Sequence, residues 1–481
     1  MIDAATTSTA KIERQPKPAA MSGLGALQST SMSANTASGP CVFTVTFAPS
    51  MIIGAPIEVK PSTEAAVGSD YAGVVSIDLE RLNRVLEVDP ISRAARIQAG
   101  ALGPELAAQL KTHRLTLRHF PQSFEFSSLG GWIATRAGGH YATLQTHIDD
   151  FVEATRLVTP AGVMRTRRLP GSGAGPAPDR LILGSEGTLG IVTEAWVRVQ
   201  VPPRFRASAS AQFDDYFAAV ACVRALAQSG LHPSNCRLLD PAETVFAGVG
   251  DGRTAILVLA FESDDHPLQS WMARALEIVS SHSGRYDAEA VARSMSSADS
   301  VEHRTGAAGA WRDAFMRMPY WRDPAVGLGV IMDTFETAVT WDRFETFYKS
   351  VKEDVSRAIM RATGQKARLS CRFTHLYPDG PAPYFTLAAR AADSSVASAL
   401  AAWRDIKLAA NEAVVAHGGT ITHHHAVGRD HRSGYEREVD PLFRQMLAAA
   451  KQVADPQGIL NPGVLIDSVD RPIGAMGVLT G

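Results

Sequence analysis

Between Phe120 and Tyr141 the chain reads FPQSFEFSSLGGWIATRAGGHY, and this stretch constrains the fold more than any other. Gly130, Gly131, Gly138 and Gly139 stand there among the hydroxyl residues Ser123, Ser127, Ser128 and Thr135. Glycine lets a backbone come close to something flat or bulky, and hydroxyls beside it can donate to phosphate oxygens or ring heteroatoms. A second stretch, GSEGTLG over residues 184–190, has the same character, and its apolar flanks predict a hairpin-like loop. Two such loops in one α/β region suit a large, flat, phosphate-bearing ligand. Two tight turns that simply need glycine are the plainer alternative.

The 481 residues are enough for roughly two to four domains. A formal charge of −2 argues against a nucleic-acid footprint, which needs a basic balance or stripe. Cys41, Cys222, Cys236 and Cys371 form no CxxC pair, so neither a zinc ribbon nor a disulfide framework is indicated and a reducing compartment fits. No apolar run approaches the roughly 18 residues of a membrane span, and the N-terminus lacks the apolar segment of a secretory signal. The expectation is a soluble, cytoplasmic protein.

Residues 1–50 are rich in Ser, Thr, Ala and Gly without clear periodicity, and read as an atypical, disordered segment. Order is expected from Met51, with strands at 73–79 and 95–100, a short helix over Pro104–Thr112, and a further strand up to Val158. From Ser208 a strand-helix-strand-strand-helix unit occurs twice. Its first copy uses 207–213, 214–228, 235–239, 255–261 and 266–281; its second uses 326–332, 341–363, 367–375, 384–389 and 397–417. The repeat predicts an antiparallel sheet covered by helices. A final helix is expected over Tyr435–Val453.

Three constellations could carry chemistry. His423, His424 and His425 gather imidazoles, the side chains best placed to move protons near neutral pH. In an extended segment His423 and His425 share a face and His424 points away. A metal would need that pair plus His375 or Asp430, and no carboxylate stands at a typical spacing, so no metal is assigned. Tyr384 lies among apolar strand residues, where a core role is the plainer reading. Arg322 and Arg237 suit bidentate binding of phosphate or carboxylate, or pairing with their neighbours Asp323 and Asp240.

Together FPQSFEFSSLGGWIATRAGG, ILGSEGTLGIVTEAW, SNCRLLD, YWRD, CRFTHLYPDG…YF, HHHAVGR and DPQGILNPG stand in an order that resembles the alkyldihydroxyacetonephosphate synthases. These are FAD proteins of the vanillyl-alcohol oxidase type. The likeness spans about residues 70–465, and the triple histidine with the upstream Tyr and Arg motifs separates that family from glycolate and D-lactate oxidoreductases. The fold it implies is α+β: a PCMH-type FAD-binding α/β domain, here partial, plus an α+β cap domain with an antiparallel sheet and a C-terminal helix. The corresponding bounds are 51–204 for the FAD domain, 205–430 for the cap, and 431–481 for a C-terminal helix and tail returning to the FAD domain.

The resemblance also implies an activity: exchange of the acyl group of acyl-glycerone phosphate for a fatty alcohol through an adduct at flavin N5. Residues matching flavin-contacting loops are Gln122, Ser123, Phe124, Glu125, Phe126, Ser127 and Ser128; Thr135, Arg136, Ala137 and Gly138; and Glu186, Gly187, Thr188, Leu189, Gly190, Ile191 and Val192. Arg322 matches the substrate-phosphate arginine, Tyr384 the acid–base tyrosine, and His423, His424 and His425 the active-site histidine loop. Arg237 matches an arginine needed for activity. A small lipid-like substrate is implied, compatible with peripheral membrane contact and a homodimer.

One departure is plain. Where the family carries a GGGTS-like pyrophosphate loop, this chain has MIIGAPIEVKPST from Met51. A nest of backbone N–H groups is a main holder of bound phosphate. Two rivals therefore stand beside the exchange activity: an FAD-linked oxidoreductase of a 2-hydroxy acid or alcohol, and a degenerate, non-catalytic relative without FAD.

Overall fold

Alternating apolar residues make the strands of two antiparallel sheets, and amphipathic helices cover one of them. The computed structural model describes residues 42–45, 74–296, 324–366, 368–393 and 395–467. Strand β1 (Val42–Val45) pairs in parallel with β2 (Val74–Ile77). The first of these falls inside the segment expected to be disordered: its VFTV run is β-branched and aromatic, which suits a strand.

The smaller sheet contains β3 (Val85–Asp89), β4 (Ala94–Gln98), β5 (Val152–Thr159), β6 (Gly162–Arg165) and β7 (Ile191–Arg198) in the order β3-β4-β7-β5-β6. Against it packs the helix Leu129–Thr135, so Gly130 and Gly131 are helical residues and not a loop. Ser128 caps this helix by accepting the Gly131 N–H at 3.3 Å. Gly130 is needed for closeness: a Cβ there would lie 2.8 Å from the Ala99 Cβ. The GSEGTLG stretch is likewise no hairpin. It runs from the helix Pro178–Ile182 into β7, because Pro178 at the first turn starts a helix where a strand was expected.

The larger sheet contains β8 (Phe205–Phe213), β9 (Asn235–Leu239), β10 (Ala255–Ser263), β11 (Arg285–Tyr286), β12 (Val330–Glu336), β13 (Arg368–Leu376) and β14 (Pro381–Arg390). Their order is β11-β8-β10-β9-β13-β14-β12, with the two repeat units meeting at β9 and β13. The helix Trp341–Thr363 buries Phe344, Phe347, Val351, Val355 and Ile359, a helical spacing that lays one face on the sheet. Two expectations are corrected. Strand β12 begins at Val330, four residues beyond the expected start, since residues 324–327 are helical. The last helix is two, Arg432–Glu438 and Pro441–Ala454, because Pro441 cannot continue the first and forces the preceding residues out of helical geometry. Arg322 and the YWRD run lie outside the described residues, as does the segment replacing the pyrophosphate loop. Among the described residues no helix is long and apolar enough to cross a membrane.

Candidate active site

Between the two sheets lies a small cavity of about 50 Å³. From the smaller-sheet side come Gln122, Ser123, Thr135, Ala137 and Gly138; from the larger sheet and its C-terminal loop come Arg237, Arg372, His375, Tyr384, His424 and His425. Strand register explains the second group. Tyr384 on β14 stands opposite Arg372 on β13 and Glu336 on β12, so three polar side chains share one cross-strand row.

Tyr384 is buried, with the Arg372 guanidinium 3.8 Å from its ring centroid. Its hydroxyl donates to Thr334 Oγ1 at 3.1 Å. Burial pushes the phenol up to about 12, against the opposing pull of Arg372 and the Thr334 bond. At neutral pH it is therefore a proton donor. Arg372 is held by Glu243 at 2.7 Å, both fully buried. Arg237 donates to the His140 carbonyl at 2.7 Å, and burial and then the Arg372 charge pull it down to about 9. Its neighbour Asp240 engages Lys352 at 2.9 Å and Tyr348 Oη at 2.7 Å, and caps the helix Pro241–Phe246. Two guanidinium groups on one small cavity make a place for an anionic substrate group.

The histidine run is not extended. Glu336, buried at the end of β12, gathers the backbone N–H groups of His423, His424 and His425 at 2.9–3.0 Å and the Thr422 hydroxyl at 2.5 Å. A carboxylate accepting three successive amides curls the chain around itself, which overturns the expected face-sharing of His423 and His425. His424 Nδ1 also lies 3.1 Å from this carboxylate. Burial works against the Glu336 charge, but His424 and His425 more than offset it and hold the carboxyl well below its ordinary range. Past the histidines, Glu186 accepts the Val427 and Gly428 N–H groups at 2.7 Å each. The loop is thus slung between two buried carboxylates, one from each half of the molecule. Burial raises Glu186 to about 7 in spite of those two bonds.

The remaining expected flavin contacts divide. Gly138 is required where it stands, since a Cβ would come within 3.0 Å of His375 and His424. Ser127 and Ser128 spend their hydroxyl groups on Ser123 O and the helix cap. Phe124 packs on the core beneath the smaller sheet, whereas Glu125 and Phe126 are exposed. Arg136 and His423 face a second, open cleft of about 650 Å³. Residues 186–192 lie away from the cavity lining: Thr188, Leu189 and Val192 are buried, and the Thr188 carbonyl accepts from Lys451 of the last helix at 2.8 Å. Nitrogens of His375, His423 and His424 come within 4.8 Å of one another, but those of His423 and His424 face each other and Glu336. That is a hydrogen-bonding arrangement, and no metal is assigned.

Sequence reading missed Glu336 and Arg372. Each is a charged residue at a buried strand position, Glu336 following Phe335 and Arg372 lying between Cys371 and Phe373, and that was the available signal. The residues present fit a flat heteroaromatic ring. Gly138 supplies a bare backbone beside Gln122 and Ser123, and the buried His375 Nδ1 has no hydrogen-bond partner among the described residues.

Comparison with known proteins matches residues 202–465 to the model described as "FAD linked oxidases, C-terminal domain" and residues 54–167 to an "FAD binding domain". An alkyldihydroxyacetonephosphate synthase of Dictyostelium discoideum is 30% identical over 82% of this chain, and the chain spans 66% of that protein's length. The FAD-linked oxidoreductase YgcU of Escherichia coli (strain K12) is 25% identical over 86% of this chain and 84% of its own length. A solved structure of an alkyldihydroxyacetonephosphate synthase superposes with a TM-score of 0.64 at 26% identity, covering 81% of this chain and 68% of the other.

Proposed function

The chain belongs to the family of FAD-linked oxidases, with FAD as its cofactor, and from that premise we propose that it is an alkyldihydroxyacetonephosphate-synthase-like enzyme. It exchanges the acyl group of an acyl-glycerone phosphate for a long-chain alcohol. The observation that carries this reading is the meeting of Tyr384, two guanidinium groups and the histidine loop in one cavity bordered by Gln122, Ser123 and Gly138. When bound, FAD would supply an electron-rich ring that lets the acyloxy group leave as a carboxylate and an alcohol add, with no net redox change. Gln122, Ser123, Thr135, Ala137 and Gly138 would hold that ring. Arg237 and Arg372 hold the anionic end of the substrate, joined through the resemblance by Arg322. Tyr384, protonated at neutral pH, exchanges a proton with the reacting carbon or its carbonyl oxygen. Glu336 and Glu186 hold His424 and His425 in place.

Radiolabelled hexadecanol, given with a palmitoyl ester of glycerone phosphate to the FAD-loaded protein, tests this. Label is expected in an ether product, with palmitate released one for one. An FAD-loaded protein that makes no labelled ether would refute the exchange. The match over 84% of YgcU, whose name is that of an uncharacterized FAD-linked oxidoreductase, favours a second reading as an FAD-linked oxidoreductase, for which we propose a 2-hydroxy acid or alcohol as substrate.

A further inference from the structure

An unbroken series of hydrogen bonds leads from the cavity that holds Tyr384 to the larger open cleft. His424 lines the cavity, and His423, Tyr377, Thr146 and His147 line the cleft. His423 Nδ1 lies 3.2 Å from His424 Nδ1, and His423 Nε2 lies 2.9 Å from Tyr377 Oη. Tyr377 Oη is 3.1 Å from Thr146 Oγ1, which is 3.0 Å from His147 Nδ1.

The two ends fix the direction of every link. Glu336 Oε2, 3.1 Å from His424 Nδ1, can only accept, so His424 Nδ1 carries a proton shared between Glu336 and His423 Nδ1, 3.2 Å away, which accepts. His423 must then carry its own proton on Nε2 and donate to Tyr377. At the far end the His423 carbonyl, 3.1 Å from His147 Nε2, also can only accept. His147 is therefore protonated on Nε2, and its Nδ1 accepts from Thr146 at 3.0 Å or from Tyr377 Oη directly at 3.4 Å; either way Tyr377 gives its proton toward His147 and accepts from His423. Both histidine rings keep a neutral form, since burial lowers His147 and His423. The donors of the series from His424 to Tyr377 therefore point toward His147.

We propose that His424, His423, Tyr377, Thr146 and His147 form a proton relay from the Tyr384 cavity to the open cleft. What it carries rests on the exchange reading. An acyl ester and an alcohol give an ether and a carboxylic acid, and near neutral pH the acid ionises to carboxylate and a proton. Where the acid departs as carboxylate, one proton per turnover stays in the cavity and has to be carried out. As His424 takes it up, each link hands its own proton to the next: His424 Nδ1 to His423 Nδ1, His423 Nε2 to Tyr377, Tyr377 to Thr146, and Thr146 to His147 Nδ1. His147 releases the proton to water or buffer in the cleft, and the hydroxyls and rings return to their starting orientation before the next turnover.

Tyr377→Phe keeps the ring that packs on His423 but removes the shared hydroxyl; His147→Ala removes the outer acceptor. With palmitoyl-glycerone phosphate and hexadecanol on the FAD-loaded full chain, turnover and dye-reported proton release are expected to fall about 10- to 100-fold in each. KM should stay within about twofold, and millimolar imidazole entering the cleft should restore most of the His147→Ala loss. Wild-type turnover in both variants overturns the relay. So does a loss in His147→Ala that imidazole leaves untouched while the melting temperature is unchanged. If the wild type exchanges no ester, the exchange reading fails and the relay is judged on its tautomers by ¹⁵N NMR of the full chain. Protonation on Nε2 of both His423 and His147 supports it, and an Nδ1-protonated, Nε2-bare His423 breaks it.

Discussion

Replacing Glu336 by alanine is expected to cost about 3–5 kcal/mol of stability in urea unfolding, the range for removing one partner of a buried charged cluster. The carboxylate accepts three successive backbone amides and the Thr422 hydroxyl. Its loss leaves those donors buried without an acceptor, at about 1–3 kcal/mol each before relaxation. The same change frees the histidine loop, so exchange activity should fall more than about 100-fold. Stability should also depend on pH in a defined sense. A carboxyl held below its unfolded value stabilises the fold at pH above that unfolded value, and the contribution is lost as pH falls through the folded one. Glu336→Ala should therefore flatten the acid limb of the stability curve. An unchanged urea midpoint would mean that the loop is held by other contacts.

Tyr384→Phe is the second large effect, and it should fall on turnover instead of on folding. The hydroxyl makes one bond, to Thr334, whereas the ring keeps its contacts with Arg372 and His425. The stability cost should be about 1 kcal/mol. If the phenol moves the proton at the reacting carbon, kcat falls about 10²- to 10⁴-fold, with KM little changed because the cations that bind the substrate anion remain. Full activity in this variant would remove Tyr384 from the chemistry.

Much of the fold was legible because its periodicities are long and clean. The helix Trp341–Thr363 repeats its apolar face over six turns, and the repeated strand-helix-strand-strand-helix unit marks an antiparallel sheet. Short elements were not legible. Pro441 splits a helix whose apolar spacing continues across the break, and Pro178 starts one helical turn in a run that reads as a strand. At the site, Tyr384, Arg237, His424 and His425 do meet in one cavity. The shape of the histidine loop was hidden because it depends on Glu336, 87 residues before His423 and on another element. Local sequence cannot show which acid a run of backbone amides will find. Glu186 illustrates the same limit. It sits in a glycine-rich stretch that resembles flavin-contacting loops, yet its carboxylate clasps Val427 and Gly428 from the other half of the molecule.

The flavin spectrum on substrate addition, recorded without oxygen, separates the two activities most directly. Purified protein loaded with FAD is mixed with an acyl-glycerone phosphate and a fatty alcohol, and absorbance and products are followed together. Exchange chemistry predicts that ether accumulates over many turnovers while the flavin ends fully oxidised. Stoichiometric bleaching of the flavin with no ether formed would contradict it and make the chain an FAD-linked oxidase.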